Sequence, residues 1–197
     1  MQESALFPLN LFLLPGDFTQ LHIFEERYKQ LIKDCREEAI TFGIPFSDRL
    51  NTRNLGTLVR LHEVLKTYPD GEMDVIIEAV GTFKLEKFYY QMTPKLYPGG
   101  QIVPLPRPSD EGCGPALAAR FRRYLAQHEI YDYDHLPDTD LNLYTVAGAL
   151  HLNDYERMEL AQIPTAARVR EFLMNYLRYL ELLHEQESHV YQNFYLN

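Results

Sequence analysis

The stretch that decides the fold is residues 57–80, which read TLVRLHEVLK, then TYPDGE, then MDVIIEAV. Two runs rich in apolar and β-branched residues, Thr57–Lys66 and Met73–Val80, flank the tetrapeptide YPDG at 68–71. Proline presets φ near the start of a turn and glycine tolerates a positive φ, so this tetrapeptide is a turn signal with a physical mechanism. The stretch therefore predicts a β-hairpin.

Further strands are predicted on both sides of the hairpin. Apolar residues alternate from Phe7 to Leu13, as in a half-buried strand, and Thr41–Phe46 reads as a short strand. Gly81 is expected to separate the hairpin from another strand over Phe83–Tyr90. The segment Val103–Leu105 lies among prolines, which disfavour a central strand, so we expect it at a sheet edge.

Helical spacing appears once in the first half and throughout the second. Between residues 24 and 39 one stripe contains Phe24, Tyr28, Leu31, Ile32 and Cys35. From residue 116 onward, apolar stripes predict helices starting near Leu117 and Leu141, Asn153 heads a capping box, and the longest helix follows Pro164. Half of the twelve prolines fall between Pro94 and Pro115. The sequence predicts an α+β chain with a β-rich domain at 1–108 and a helical subdomain at 109–197.

Composition narrows the class of protein. The net charge of −9 disfavours nucleic acid, whose binding depends on neutralising phosphates. The basic runs at 120–123 and 168–170 lie on predicted helices, where we expect a solvated face. Cys35 and Cys113 form no CxxC pair, which favours free thiols in a reducing compartment. With no basic leader and no apolar run of about 20 residues, we expect a cytoplasmic protein with no membrane contact.

Motifs for common catalytic chemistry are absent from the sequence. It contains no GxxxxGK[ST] loop to cradle phosphates, no HExxH zinc motif and no GxSxG nucleophile elbow. The seven histidines have no ligand spacing, and the acid pairs at 25–26 and 37–38 lie on a predicted helix, where neighbouring side chains point apart. We therefore expect no enzyme activity, no metal and no cofactor.

One ordered set of segments is distinctive. It comprises Leu6–Gly16, Leu21–Tyr28 followed by Leu31–Cys35, Phe42–Ile44, Leu55–Thr57, Asp70-Gly71 with Val75–Glu78 and Phe83, and Tyr97-Pro98 with Pro104–Pro106. Together these segments resemble the Lon N-terminal (substrate-binding) domain family. The ordered set covers roughly residues 5–106, while the helical half matches more loosely. The chain departs from the family pattern at Glu26, where proline is common, at Ala79, where glycine is common, and at Gly81-Thr82, where arginine is frequent.

The resemblance implies a PUA-like β pseudo-barrel with one helix, followed by a C-terminal α-helical bundle. It also implies a non-catalytic module that binds unfolded or client polypeptides. Such a module could be an adaptor that delivers clients to a separate protease. In Lon proteases this domain precedes ATPase and peptidase domains; since the chain ends at Asn197, we expect neither here. The sequence does not indicate an oligomeric state.

Three aromatic residues are candidate polypeptide contacts. If Phe83 and Leu85 face the core, strand alternation places Phe88 and Tyr90 on the opposite face, with Phe18 in the first loop as a third contact. The competing interpretation, which we favour, is that the helical half covers Phe88 and Tyr90. His22 is interpreted either as a pH-sensitive contact or, preferably, as a ring at the helix entry satisfied by the backbone.

Two other functions remain open. PUA-like barrels also bind RNA, although the acidic net charge argues against that function here. An enzyme site could also be assembled from residues distant in sequence.

The tail at 189–196 is aromatic for a chain end, so we expect it to pack on its own domain or fray, with a partner contact as the alternative.

Overall fold

The computed structural model describes residues 1–49, 51–107 and 112–194, with side chains up to residue 186. The chain divides into two compact units. The first comprises Met1–Arg107 and Leu152–Gln162, and the second comprises Pro108–His151 and Ile163–Asn197. The predicted domains, 1–108 and 109–197, stay a prediction. The segment Leu152–Gln162 lies in the second half of the chain but belongs to the first compact unit.

Six strands form the sheet of the first unit. They are β1 (Gln2–Leu6), β2 (Phe18–Ile23), β3 (Thr41–Pro45), β4 (Leu55–Thr67), β5 (Met73–Tyr89) and β6 (Gly99–Pro104). Their order is β2-β5-β4-β3-β1-β6, and β6 also pairs with β5, so every strand except β2 belongs to a closed ring. The β1–β3 pair is parallel, and the other pairs are antiparallel. The α+β class predicted from the sequence is confirmed.

The predicted hairpin is present, but the strand after it does not stop at Gly81. β5 is continuous over 17 residues. Leu58 pairs with Gly81 and Val59 with Ala79, so Val80 is an extra residue that makes a β-bulge. The prediction that Gly81 separates two strands is therefore wrong. A glycine inside a strand pattern can mark a bulge, which bends a strand without ending it.

The edge position predicted for the segment around Val103 is also wrong. β6 pairs with β1 from Gln2↔Ile102 to Ala5↔Gly99, and with β5 from Phe83↔Pro104 to Tyr89↔Gly99. Pro104 is tolerated because it is the last residue of β6. The ladder continues beyond it, where the Leu105 N–H donates to the Thr82 carbonyl at 2.9 Å.

The strand predicted from Phe7 to Leu13 is displaced toward the N-terminus, where β1 ends at Leu6. Three consecutive side chains, Phe12–Leu14, are buried, which a half-exposed strand does not allow. The irregular backbone is held instead by the buried Thr57 hydroxyl. Its oxygen accepts from the Leu13 N–H and its proton is donated to the Leu13 carbonyl, both at 2.9 Å.

One helix, α1 (Glu26–Glu38), follows β2 and buries most of its predicted stripe, with Tyr28, Leu31, Ile32 and Cys35 inside. Asp34 of α1 accepts hydrogen bonds from Lys95 and Tyr97, both at 2.8 Å. Burial raises the pKa of Asp34, but these two bonds outweigh it and hold that pKa below its usual value. The carboxylate therefore fastens the segment before β6 to the helix.

Two glycines let the ring close around a small core of Leu6, Phe83 and Ile102. A Cβ at Gly56 would lie 2.5 Å from Phe83 Cζ and 2.6 Å from the Ile44 carbonyl oxygen. A Cβ at Gly100 would lie 2.4 Å from the Lys87 carbonyl oxygen. Backbone from neighbouring strands passes so close here that any side chain would displace it.

Helix α4 (Asp154–Ala161) completes the first unit. Its capping box is confirmed, because the Asn153 side chain accepts from the helix start and Glu156 accepts from the Asn153 N–H. The Tyr155 hydroxyl donates to Asp48 at 2.8 Å, and Arg157 forms an ion pair with Asp17. Both bonds join the helix to loops of the same unit, which explains why this segment groups with the strands.

The second unit contains α2 (Pro115–Gln127), α3 (Leu143–Ala149) and α5 (Ala166–Phe194). The expected solvated face holds for Arg123 and Arg168, which are exposed, but is corrected for three other arginines of the two basic runs. Arg120 pairs with Glu181 at 2.7 Å, Arg122 bonds to Asp138 and two carbonyls, and Arg170 donates to the Cys113 carbonyl. The side chains of the aromatic tail lie outside the described residues. Within the described helices, none is long and apolar enough to cross a bilayer.

Replacing Gly56 with alanine should lower the free energy of unfolding by about 2 kcal/mol, the usual cost of overpacking a core. Gly81→Ala is the matched control, because its Cβ would meet only Leu58 Cβ at 4.0 Å. Urea unfolding of both variants measures the difference. Equal destabilisation by the two substitutions would contradict the close approach at Gly56.

Candidate functional site

The structure does not bring the three predicted contact residues together. Phe18 opens β2, pairs with Glu78 and is 54% exposed, with its ring edge-on to His62 at 5.0 Å. Phe88 lies near the far end of β5, opposite Gly100. Tyr90 follows the strand and is 88% exposed.

A β-bulge changes the face on which Phe88 lies. The register of the β5–β6 pair shifts between Leu85 and Lys87, which reverses the alternation beyond that point. Phe88 is half-buried and packs, like Leu85, against the core of Leu6, Phe83 and Ile102. Its expected position on the face opposite Phe83 and Leu85 is therefore corrected. The Tyr90 ring packs edge-on against the Phe88 ring, with the ring centroids 5.3 Å apart.

An open sheet edge lies elsewhere, along β2. Among the described strands, β2 pairs with β5 alone and stands outside the closed ring. Such a strand presents unpaired backbone groups along its free side. The exposed edge of this sheet therefore runs along Phe18–Ile23.

The hydrogen bonds at the start of β2 show which backbone groups face outward. Ala79 donates to the Asp17 carbonyl at 2.9 Å and accepts from the Gly16 N–H at 2.8 Å. Since backbone groups of successive residues point to opposite sides, Thr19 and its alternate neighbours on β2 bond to β5. The N–H and C=O groups of Phe18, Gln20 and His22 then point away from the sheet.

An apolar groove lies beside the end of this edge. It has a volume of about 240 Å³ and is lined by Phe7, Pro8, Leu9, Leu21, His22, Ile23, Phe24, Glu25, Arg27 and Tyr28. Phe24 is 59% exposed at its rim, whereas Ile23 is buried. The groove therefore offers apolar walls directly next to backbone groups that can pair with another strand.

Aromatic stacking and an ion pair hold the walls in place. The rings of Phe7 and Tyr28 stack with centroids 3.7 Å apart. The Arg27 guanidinium lies 4.6 Å from the centre of the Tyr28 ring and donates to Glu25 at 2.9 Å. These contacts join the first segment of the chain to the start of α1, so both sides of the groove are fixed.

His22 lines the groove and contacts two carboxylates. Its Nδ1 lies 2.7 Å from Asp74 Oδ1 and its Nε2 lies 3.0 Å from Glu72 Oε2. The Tyr68 hydroxyl donates to the other Asp74 oxygen at 2.7 Å. The preferred interpretation, a ring satisfied by the backbone, is corrected: two carboxylates from the β4–β5 hairpin satisfy it.

These contacts shift the ionisation of both partners. The hydrogen bond to Asp74, followed by that to Glu72, raises the pKa of His22 above 6.5 in spite of some desolvation. The hydrogen bond from His22, with a second from Tyr68, lowers the pKa of Asp74. The ring is therefore held toward its charged form at the pH where free histidine titrates.

Other concave regions have less to offer chemically. A pocket of about 270 Å³ beside α4 is lined by polar groups that bond to one another, such as Arg53 to Gln162. A shallow depression beside α1 contains Cys35, but burial raises the pKa of that thiol to about 12, so it is a poor nucleophile. Among the described residues, no group of three or more histidine, cysteine, aspartate or glutamate side chains is placed to bind a metal.

Sequence reasoning missed the edge and the groove for an identifiable reason. The local pattern at residues 21–28 indicates mainly the entry to a helix. The sequence does contain a strand signal there, because the polar Gln20 and His22 alternate with the apolar Leu21 and Ile23. The position of that strand at the free edge depends on long-range pairing, which no local pattern contains.

Comparisons with known proteins agree with this architecture. The sequence profile described as the ATP-dependent protease La (LON) substrate-binding domain matches residues 3–178. A crystal structure of a Lon N-terminal domain protein from Xanthomonas campestris is similar with a TM-score of 0.67 and 24% identity, covering 89% of this chain and 98% of that one. The N-terminal domain of a Mycobacterium avium complex Lon protease is similar with a TM-score of 0.60 and 14% identity, covering 90% and 98%. No curated protein sequence matches.

The His22 contacts predict a pH-dependent contribution to stability. Since the folded-state pKa is raised above 6.5, the stabilisation is fully present below that value and is lost as the pH rises through the folded pKa. The free energy of unfolding of the wild type minus that of His22→Gln should therefore fall between mildly acidic and mildly alkaline pH. Urea unfolding across this range measures it. A difference that stays constant or grows with pH would contradict the contacts.

Proposed function

The chain belongs to the family of the ATP-dependent protease La (LON) substrate-binding domain, and from this premise we propose that it recognises extended polypeptide at the free edge of β2. The single observation that supports this most directly is the open strand beside an apolar groove. In this proposal the bound segment adds a strand next to β2, and its apolar side chains enter the groove.

Strand addition explains how such a module would accept many clients. Main-chain hydrogen bonds to the outward groups of Phe18, Gln20 and His22 do not depend on the client's sequence. Apolar pockets for alternate side chains add selectivity for segments that a folded protein would bury. The combination favours unfolded or partly unfolded polypeptide over native surfaces.

The groove contributes the apolar part of the interaction. Leu9, Leu21 and Phe24 present apolar surface there, and burying a large apolar side chain typically yields about 1.5–3 kcal/mol. Phe18, on the exposed face of the same strand, is a further proposed contact. Phe88 and Tyr90 remain a proposed second surface at the other end of β5.

The finer points of the proposal follow from the family. We assign the closed ring of strands to a PUA-like pseudo-barrel and the helices of the second unit to the C-terminal bundle. The module would act without catalysis, in the cytoplasm, as an adaptor that hands clients to a separate protease. RNA is the weaker candidate because the net charge is −9.

Substituting Phe24 with serine should weaken binding of a short fluorescent peptide of alternating leucine and threonine by about tenfold, because one apolar wall of the groove is lost. Fluorescence anisotropy measures the affinity. The matched controls are Tyr131→Ser, exposed on the second unit, and Tyr90→Ser, at the alternative surface. If only Tyr90→Ser weakens binding, the site lies at the end of β5; if all variants bind equally, the groove is not the site.

Substituting Gln20 with proline should also reduce binding about tenfold, since it removes an outward N–H and places a ring in the path of the added strand. The fold should survive because proline is tolerated where the N–H faces solvent on an edge strand. Gln20→Ala keeps the N–H and is the control. Circular dichroism confirms folding, and unchanged affinity in folded Gln20→Pro protein would rule out strand addition at β2.

A further inference from the structure

The two contacts of the His22 ring are compatible with only one protonation state. Nδ1 faces an Asp74 oxygen at 2.7 Å and Nε2 faces a Glu72 oxygen at 3.0 Å. An ionised carboxylate only accepts hydrogen bonds, and a neutral imidazole has a single N–H. Both contacts are therefore hydrogen bonds only when His22 is an imidazolium.

Loss of the proton would release one contact and keep the other. Asp74 is the direct cross-strand partner of His22 on β5, which keeps that pair together. Glu72 instead belongs to the turn that ends the hairpin, where its carbonyl accepts from the Tyr68 N–H. A lone pair on Nε2 facing a carboxylate is repulsive, so the neutral ring and the Glu72 side chain separate.

We propose that His22 is a protonation-dependent positioning residue of the polypeptide site, which binds its ligand more tightly when His22 is charged. This inference rests on the proposed function of the β2 edge. His22 lies on the strand that receives the polypeptide and lines the groove. In its charged form it ties the end of that strand to the hairpin turn, so the edge is already ordered before the ligand arrives.

The pH dependence proposed here belongs to His22, because the charged groups around it are of other residue types. Besides Asp74 and Glu72, the charged and titratable groups around His22 come from the end of β4, from the turn, and from α1 and the residue before it: Lys66, Tyr68, Asp70, Glu25, Glu26, Arg27 and Lys29. Several of these are engaged in their own contacts. Lys66 lies 4.2 Å over the Tyr68 ring, Lys29 bonds to Glu26 and to the Asp70 carbonyl, and Arg27 pairs with Glu25. Histidine is the residue type whose charge ordinarily changes near neutral pH, and His22 is the histidine of this cluster.

Linkage fixes the sign of two measurable effects. If the charged form binds more tightly, affinity falls as the pH rises through the pKa of His22. Reciprocally, saturating ligand must raise the pKa of His22 by the logarithm of the same affinity ratio. We expect an affinity ratio of about fivefold, at the lower end of typical coupling, because the ring is 48% exposed and solvent screens the ion pairs.

The test uses the full chain and the leucine–threonine peptide, blocked at both ends so that the peptide itself does not titrate. Anisotropy gives its affinity from mildly acidic to mildly alkaline pH, and nuclear magnetic resonance of the ring follows the pKa of His22 with and without peptide. Wild type should bind about fivefold more weakly at the alkaline end, with the matching rise of that pKa on binding.

Three variants separate the possible causes. His22→Gln should bind weakly at every pH, and His22→Lys, which stays charged, should bind tightly at every pH. His135→Gln, an exposed histidine of the second unit, is the control and should retain the wild-type profile. A flat wild-type profile, or one that His22→Gln leaves unchanged, overturns the inference while the binding function stands. Absence of peptide binding at any pH defeats the proposed function itself.

Discussion

The closure of β6 onto β5 is the constraint from which the rest of the first unit follows. It brings neighbouring strands so close that a Cβ would not fit at Gly56, beside Phe83 and the Ile44 carbonyl, or at Gly100, beside the Lys87 carbonyl. Once the ring is closed, its strands have partners on both sides. The five strands of the ring therefore have no free edge at which another chain could pair.

The same closure leaves β2 as the strand outside the ring. β5 is long enough to pair with β2 and β4 along its first part and with β4 and β6 farther on. An edge strand is normally a liability that a protein blunts with charge or covers. Here the edge adjoins an apolar groove and a cluster of ionised groups, and this combination suits selective contact better than indiscriminate aggregation.

Local patterns in the sequence predicted what local physics determines. The YPDG turn, the buried stripe of α1 and the Asn153 capping box depend on neighbours within a few residues, and each is present. The errors arose where distant segments decide. Gly81 marks a bulge, not a strand end, because β4 continues beside it. Phe88 lies on the same face as Phe83 and Leu85, not the opposite one, because the register of β5 against β6 shifts after Leu85. Phe18 is expected in a loop because its strand, like the free edge and the carboxylates around His22, depends on pairings that are invisible along the chain.

The discontinuous make-up of the first unit has a consequence for synthesis. The strands lie within the first 107 residues, yet α4, whose Tyr155 and Arg157 hold Asp48 and Asp17, comes only after residues 108–151. A ribosome therefore delivers the ring well before the helix that fastens two of its loops. During that interval the nascent chain has an open edge and unsecured loops. The time needed to synthesise residues 108–151 of the second unit sets how long the interval lasts.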